Sequence, residues 1–259
     1  MKKKKQLSWY IPQGGFFNKD YLQQYQEILS SQKTKKEVDF IKKVLKLKPG
    51  MKILDLCCGY GRHSIELATR GYQIVGQDIN PFFLKEAEKS AKKIGVKIQW
   101  VESDMRKIPF EKEFDVVLNL FTSFGYFEKN EDHQKVISEV CKVLKTKGIF
   151  FLDVMNREHF ISYFKSREEE ERNFSDASVL VIKRKFNFVN SRLEEKRTYI
   201  KKKGGKKETQ FSIRIFTLTE LISMCQKAGL TFKESYGNYQ EDPVNFETKR
   251  CIVISQKTH

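Results

Sequence analysis

The chain has 259 residues, enough to bury a sizeable core as one large domain with an insertion or as two small ones. With 39% hydrophobic residues, 32% charged residues, 14 Gly and 5 Pro, it is neither collagen-like, low-complexity nor disordered. The formal net charge of +16 invites a polyanionic partner, nucleic acid or an anionic membrane, without identifying one.

The N-terminus, MKKKKQLSWYIPQGG, has a basic start with no apolar stretch after it, and no apolar run anywhere approaches the ~18 residues of a bilayer span. A soluble cytoplasmic protein with no membrane partner is expected. Lys2 to Lys5 read as a frayed basic tail. Trp9, Tyr10, Phe16, Phe17, Tyr21 and Tyr25, set around Gly14-Gly15, make residues 1–34 a helical cap or lid. From residue 35, Val38, Ile41, Val44 and Leu45 recur at helical spacing until Lys48-Pro49-Gly50 ends the pattern. MKILDLC (51–57) is an apolar strand, CCGYGR a glycine turn, and HSIELATRG (63–71) a helix stopped by Gly71. QIVGQDI (73–79), a Pro81-started helix (81–95) and VKIQWVESD (96–104) repeat the strand and helix alternation, as do FDVVLNLF (114–121), the helix 131–145 and GIFFLDV (148–154). A parallel sheet covered by helices fits residues 35–154.

Residues 155–216 break the alternation. VLVIKRKFNFV (179–189), SRLEEKRTYIKKK (191–203) and TQFSIRIF (209–216) read as antiparallel strands separated by Asn190-Ser191 and Gly204-Gly205. A helix at 218–229 and strands at 230–237 and 249–257 complete the segment 217–259. The charge excess follows this division: residues 1–50 carry +8 and 154–216 carry +7, while 51–153 carry +1 and 217–259 are neutral. Lys supplies 38 of the 49 basic residues, whereas Arg is favoured at bidentate nucleic-acid contacts, so part of the excess reads as surface solvation. The five cysteines show neither CxxC spacing nor a nearby histidine, and no metal site or disulfide framework is signalled.

The decisive local feature is Asp55-Leu56-Cys57-Cys58-Gly59-Tyr60-Gly61 at the end of the first strand, with Asp78 closing the next strand 23 residues later. Gly59 and Gly61 let the backbone turn tightly beside a ligand, and the following helix presents unpaired N–H groups. Asp78 can accept both hydroxyl protons of a ribose. Ser64 stands where a dinucleotide fingerprint has its third glycine, and Asp55 adds a carboxylate beside the turn, better suited to a cationic ligand than to a diphosphate.

At these residues the chain resembles the class I S-adenosylmethionine-dependent methyltransferases. The resemblance rests on LDLCCGYGR, and more closely GRHSIELATRGYQIVGQDIN, SDMRKIPF, LNLFTSFGYF and GIFFLDVMNR are similar to a bacterial and archaeal subgroup that acts mostly on small or undefined acceptors. It covers 35–154, and 217–257 by topology. It implies a Rossmann-like α/β fold whose seven-stranded, mostly parallel sheet has the order 3-2-1-4-5-7-6, with residues 249–257 as the antiparallel strand. The implied cofactor is S-adenosyl-L-methionine. Asp55, Gly59 and Gly61 would lie near its methionine part, Asp78 on the ribose hydroxyls and Ile79 on the adenine. Asp104 would meet the adenine amino group, with a backbone contact from Met105. Asn119, Leu120 and Phe121 would wall the methionine part and reacting methyl, Tyr21 would cover it from the lid, and Tyr126 would position the acceptor.

A sulfonium methyl needs positioning more than acid chemistry. If a base is used, His63, Tyr126, Asp153, His159 and Tyr236 are the candidates. Cys57 and Cys58, inside the cofactor turn, read as packing residues rather than nucleophiles. The first expectation for the acceptor is a small molecule in a pocket closed by the insertion. The second is RNA, gripped by KRKFNF and KRTYIKKKGGKK with Phe186, Phe188 and Tyr199 stacking on bases. Asn119-Leu120-Phe121-Thr122 departs from the Asn/Asp-Pro-Pro-aromatic motif of nucleobase amino methylation, which counts against that chemistry. A third reading is a cofactor-binding interaction protein without turnover.

Overall fold

The structure, a computed structural model, describes residues 8–12, 15–202 and 204–258. The basic tail Lys2 to Lys5 and Gly14 lie outside the described residues. Two helices open the fold, α1 (Lys19–Ile28) and α2 (Ser31–Val44). Asn18 caps α1 by accepting the N–H groups of Asp20 and Tyr21, and Ser30 caps α2 through Lys33 N. α2 begins before residue 35 and buries Thr34, Glu37, Val38 and Ile41, one face at helical spacing.

The main sheet contains β1 (Lys52–Leu56), β2 (Gln73–Asp78), β3 (Gln99–Glu102), β4 (Phe114–Asn119), β5 (Leu144–Met155), β10 (Leu230–Tyr236) and β11 (Arg250–Lys257). Their spatial order is β3-β2-β1-β4-β5-β11-β10, the expected 3-2-1-4-5-7-6. β1 to β5 run parallel, and β11 is antiparallel to both β5 and β10. β1, between β2 and β4, is the strand at which the chain order reverses, where α/β sheets open a crevice beyond their strand ends.

Helices α3 (Arg62–Thr69) and α4 (Pro81–Ile94) adjoin α2 on one face, and α5 (Asn130–Val143) and α7 (Leu218–Lys227) cover the other. On the first face Val38, Ile41 and Leu67 pack on Ile53, Val116 and Phe151; on the second Ile137, Val140 and Leu221 join the cluster of Leu54, Val117 and Phe150. Each such side chain contributes about 1.5–3 kcal/mol on burial. β5 starts four residues earlier than its apolar run suggests. Its first residue, Leu144, pairs with Phe114, the register then shifts, and Lys147 adopts φ +63°, so Thr146-Lys147-Gly148 resembles a turn although it sits within a bulged strand.

The insertion carries α6 (Arg157–Ser162) and a second, wholly antiparallel sheet in the order β6-β7-β8-β9, formed by β6 (Glu169–Asn173), β7 (Val179–Asn187), β8 (Arg192–Ile200) and β9 (Lys206–Arg214). β6, of sequence EEERN, was not expected, because it has no apolar periodicity. Ion pairs to β7 support it: Lys183 Nζ reaches Glu169 Oε1 at 2.8 Å and Arg184 Nη2 reaches Glu170 Oε2 at 2.7 Å. Much of the insertion's charge is thus paired across strands. The aromatics proposed for base stacking mostly turn inward: Tyr199 is buried and donates to Ser178, Phe186 packs by Phe160 and Phe164, and Phe188 is exposed. No helix of the described residues is long and apolar enough to cross a membrane.

Candidate active site

The parallel register fixes which side chains meet at the strand ends: Leu56 lies beside Gln77 on one side and Asn119 on the other. Beyond them is a cleft of about 990 Å³, lined by Asp55, Cys57, Gly59, Asp78, Ile79, Asp104, Met105, Leu120 and Phe121 and roofed by Tyr10, Phe17, Tyr21 and Tyr25. Of the residues expected around the cofactor, two stand off this wall. Asn119 is fully buried beneath it, donating from Nδ2 to the Leu56 carbonyl at 3.3 Å. Gly61 forms the left-handed N-cap of α3, and a Cβ there would come within 2.7 Å of Trp100 and 2.9 Å of Ala87.

Asp78 is held by the turn it faces. Its Oδ2 accepts Gly59 N–H at 2.8 Å and its Oδ1 accepts Asn80 N–H at 2.9 Å. Burial pushes its carboxyl up to about 6, with the Asn80 and Gly59 amides opposing the shift. Asp55, also raised by burial, accepts the Ser64 hydroxyl at 2.6 Å. Ser64 therefore anchors the carboxylate of the turn. Asp104 accepts Arg106 Nη2 at 2.6 Å and its backbone N–H at 2.8 Å; burial raises the carboxyl, but the arginine bonds outweigh it and leave the group lowered. Burial raises both Cys57 and Cys58 thiols well above their ordinary range, with nearby aspartates adding to the shift, so neither is an activated nucleophile.

The base candidates separate. His63 Nε2 bonds Glu37 Oε2 at 2.9 Å beside the Arg62–Glu37 pair, and burial holds the imidazole low. Burial works against the Glu37 carboxylate, but His63 and Arg62 outweigh it and hold it at about 2. Glu37 was missed by sequence reasoning, although it stands four residues before Ile41 on the apolar face of α2. Tyr236 donates to Glu234 and packs on Phe40, lining neither cavity of the site. Asp153 is buried and accepts Phe121 N–H, Tyr239 OH and Arg250 Nε. His159 lines a second cavity; its Nε2 accepts Arg167 Nη2 at 3.1 Å, so its Nδ1 donates to the Phe246 carbonyl at 2.6 Å.

That second cavity, open to solvent, spans about 1550 Å³ between the N-terminal segment, the strand ends and the insertion sheet. Phe17, Tyr21, Tyr25, Phe121 and Tyr126 line both spaces. Tyr21 and Tyr25 stack with centroids 4.2 Å apart, and Tyr126 meets Trp9 at 4.8 Å. Burial raises the Tyr126 phenol far above its ordinary value, so it stays protonated. The covering segment is tied down: Asn80 Nδ2 donates to the Phe17 carbonyl at 2.9 Å, Trp9 Nε1 to the Ser212 carbonyl at 3.1 Å, and Lys207 pairs with Asp20 at 2.9 Å.

S-adenosylmethionine fits this arrangement. Gly59 has φ +57° and borders the cleft, and a Cβ there would meet no atom of the described residues within 4 Å. The turn thus leaves its ligand side open beside the ionisable pair Asp55 and Asp78, which suits a cation with a ribose better than a diphosphate.

Residues 53–148 match the family model described as a methyltransferase domain. A glycine/sarcosine N-methyltransferase of Parasynechococcus marenigrum (strain WH8102) is 32% identical over 127 residues, 48% of this chain and 45% of that protein. The chain spans about half the length of the curated relatives it matches. Among solved structures, an S-adenosylmethionine-dependent methyltransferase from Clostridium acetobutylicum ATCC 824 superposes with TM-score 0.78 at 16% identity, covering 93% of this chain and 98% of that one. The CcbJ methyltransferase from Streptomyces caelestis gives TM-score 0.77 at 17% identity, covering 87% and 90%. By the match over residues 53–148 and by its sheet order, the chain carries a methyltransferase domain on the fold of the class I S-adenosylmethionine-dependent methyltransferases.

Proposed function

We propose that this chain transfers the methyl group of S-adenosylmethionine to a small-molecule nucleophile held in the second cavity. One observation carries the reading: the cofactor cleft and the second cavity share a wall of Phe17, Tyr21, Tyr25, Phe121 and Tyr126 beneath a tied-down N-terminal segment. When bound, the cofactor would supply an electrophilic methyl carbon to the acceptor's lone pair, with the carbon–sulfur electron pair retained by sulfur. Asp78 accepts the ribose hydroxyls, Ile79 packs on the adenine, and Asp104 with the Met105 backbone meets its edge. Asp55 and Gly59 flank the methionine part, with Gly61 shaping their turn. Leu120 and Phe121 form its wall with Asn119 bracing them from below, and Tyr21 covers it. Tyr126, held protonated, orients the acceptor rather than removing its proton. The aromatic enclosure excludes water from the reacting centre.

The name of the glycine/sarcosine relative supports a small acceptor. An RNA acceptor is disfavoured by the inward turn of Tyr199 and Phe186, which removes most of the proposed stacking platform. Calorimetric titration with S-adenosylmethionine, followed by assay for S-adenosylhomocysteine with metabolite pools, tests the proposal. Saturable binding with acceptor-dependent product supports it; binding without turnover leaves the non-catalytic reading, and no binding removes both.

A further inference from the structure

The second cavity carries more cations than its own acids can neutralise. Among the described residues its two lining carboxylates, Glu170 and Glu195, are both committed. Arg184 bridges them through Nη2 to Glu170 at 2.7 Å and Nε to Glu195 at 2.6 Å, Arg172 also pairs with Glu170, and Arg197 Nε reaches Glu195 at 2.6 Å. Four further cations line the space: Lys33, Arg167, Lys249 and Arg250. Among the described residues the first three have no carboxylate partner, and Arg250 gives only its Nε to Asp153, at 2.6 Å. Among the described residues the Arg250 Nη2 is buried without a hydrogen-bond partner.

The fold explains why Arg250 stands there. β11 enters the sheet antiparallel to β5, so its first residue pairs with Met155, the last residue of β5, at the end of the sheet where the cofactor strands finish. The Arg250 guanidinium lies 5.9 Å from the centre of the Phe121 ring, and Phe121 belongs to both cavities. Arg167 is oriented by His159 Nε2, while Lys33 and Lys249 are exposed at the rim. The remaining wall is apolar, with Phe160, Phe211, Leu193 and Ile213. The Arg250 side chain keeps about one-fifth of its surface exposed where it lines the cavity, and an anion's oxygen seated there gains a charge-assisted bond.

We propose that the acceptor is an anion, an apolar or aromatic body bearing a carboxylate or phosphate group, with the anionic group seated on Arg250 and Arg167 and guided in by Lys249. This rests on reading the second cavity as the acceptor pocket. The exposed lysines raise the local concentration of anions, and the aromatic walls take the body. A purely cationic amine would face repulsion from every uncommitted charged side chain in the cavity.

The test uses the full chain loaded with S-adenosylhomocysteine and follows binding by titration calorimetry with benzoate, phenyl phosphate, benzamide and phenol. Binding of S-adenosylhomocysteine is measured first; without it the proposed function falls and this inference with it. The expected result is that benzoate or phenyl phosphate binds about tenfold or more tightly than its uncharged counterpart, the stronger arm distinguishing carboxylate from phosphate. Arg250→Gln removes the preference. Since Arg250 also braces Asp153, the double variant Arg167→Gln/Lys249→Gln provides a second check and weakens the preference without touching that contact. Equal affinities for charged and neutral probes in protein that binds S-adenosylhomocysteine overturn this inference alone. So does an anion preference that survives both variants, or tight binding of mixed transfer RNA without discrimination among the four probes.

Discussion

The Asp153 carboxylate accepts the backbone N–H of Phe121 at 3.0 Å, and the Asp153 carbonyl accepts that of Thr122 at 2.9 Å. Phe121 and Thr122 have φ +57° and +61°, a left-handed pair of non-glycine residues at the end of β4 where the two cavities meet. Such backbone costs about 1–2 kcal/mol per residue and persists where its surroundings hold it. Asp153 holds it from the neighbouring strand, with Tyr239 OH at 2.9 Å and Arg250 Nε at 2.6 Å completing its shell. Asp153→Asn turns an amide donor toward one of three donors and is expected to lower unfolding free energy by about 3 kcal/mol. Tyr239→Phe, losing one bond, is expected to cost about 1 kcal/mol. Urea unfolding of both variants checks the ranking.

Cofactor affinity is expected to fall in mild acid. Asp78 titrates at about 6 in the free protein, and its protonated form no longer accepts from both ribose hydroxyls. The Kd for S-adenosylmethionine is therefore flat above about pH 7 and rises by up to about tenfold per unit below pH 6. Asp78→Asn binds weakly at every pH and loses this dependence. Titration calorimetry from pH 5 to 8 provides the measurement.

The two glycines of the turn are expected to fail differently. Gly61→Ala drives a Cβ into Trp100 and Ala87 and imposes a side chain at φ +77°, costing about 3 kcal/mol of stability. Gly59→Ala meets no atom of the described residues and costs about 1 kcal/mol through its φ of +57°, while its methyl enters the cofactor cleft. Thermal melting separates them without ligand, and cofactor binding reverses the emphasis.

Glu37 is expected to contribute to acid sensitivity. The folded protein binds its proton more weakly than the unfolded chain, at about 2 against about 4.3, so this stabilisation is present above pH 4.3 and lost as pH falls toward 2. Its size is on the order of 3 kcal/mol. Glu37→Gln is destabilised at pH 7 and has a flatter stability profile between pH 5 and 2, measured by denaturant melts.

Most of the cofactor half was legible in the sequence because it follows from local chemistry. Apolar strands, a glycine turn and acids at successive strand ends each leave a short-range pattern. The order of β10 and β11 came through the family resemblance. β6 was not legible, since an acidic, half-exposed strand is specified by partners on β7 and not by its own periodicity. Ser64 was read only as a missing glycine, although its hydroxyl holds Asp55. Gly76 was passed over because only the fold sets the Trp100 ring against it. The acceptor cavity was least legible: Arg167, Arg250 and Glu195 come from separate elements, and only tertiary packing brings them together.

The central claim is tested most directly by incubating the protein with methyl-labelled S-adenosylmethionine and a bacterial extract split into low-molecular-weight, RNA and protein fractions. The account predicts label in the low-molecular-weight fraction, insensitive to ribonuclease and lost in Asp78→Asn. Label confined to RNA, or cofactor bound with no label in any fraction, would contradict it.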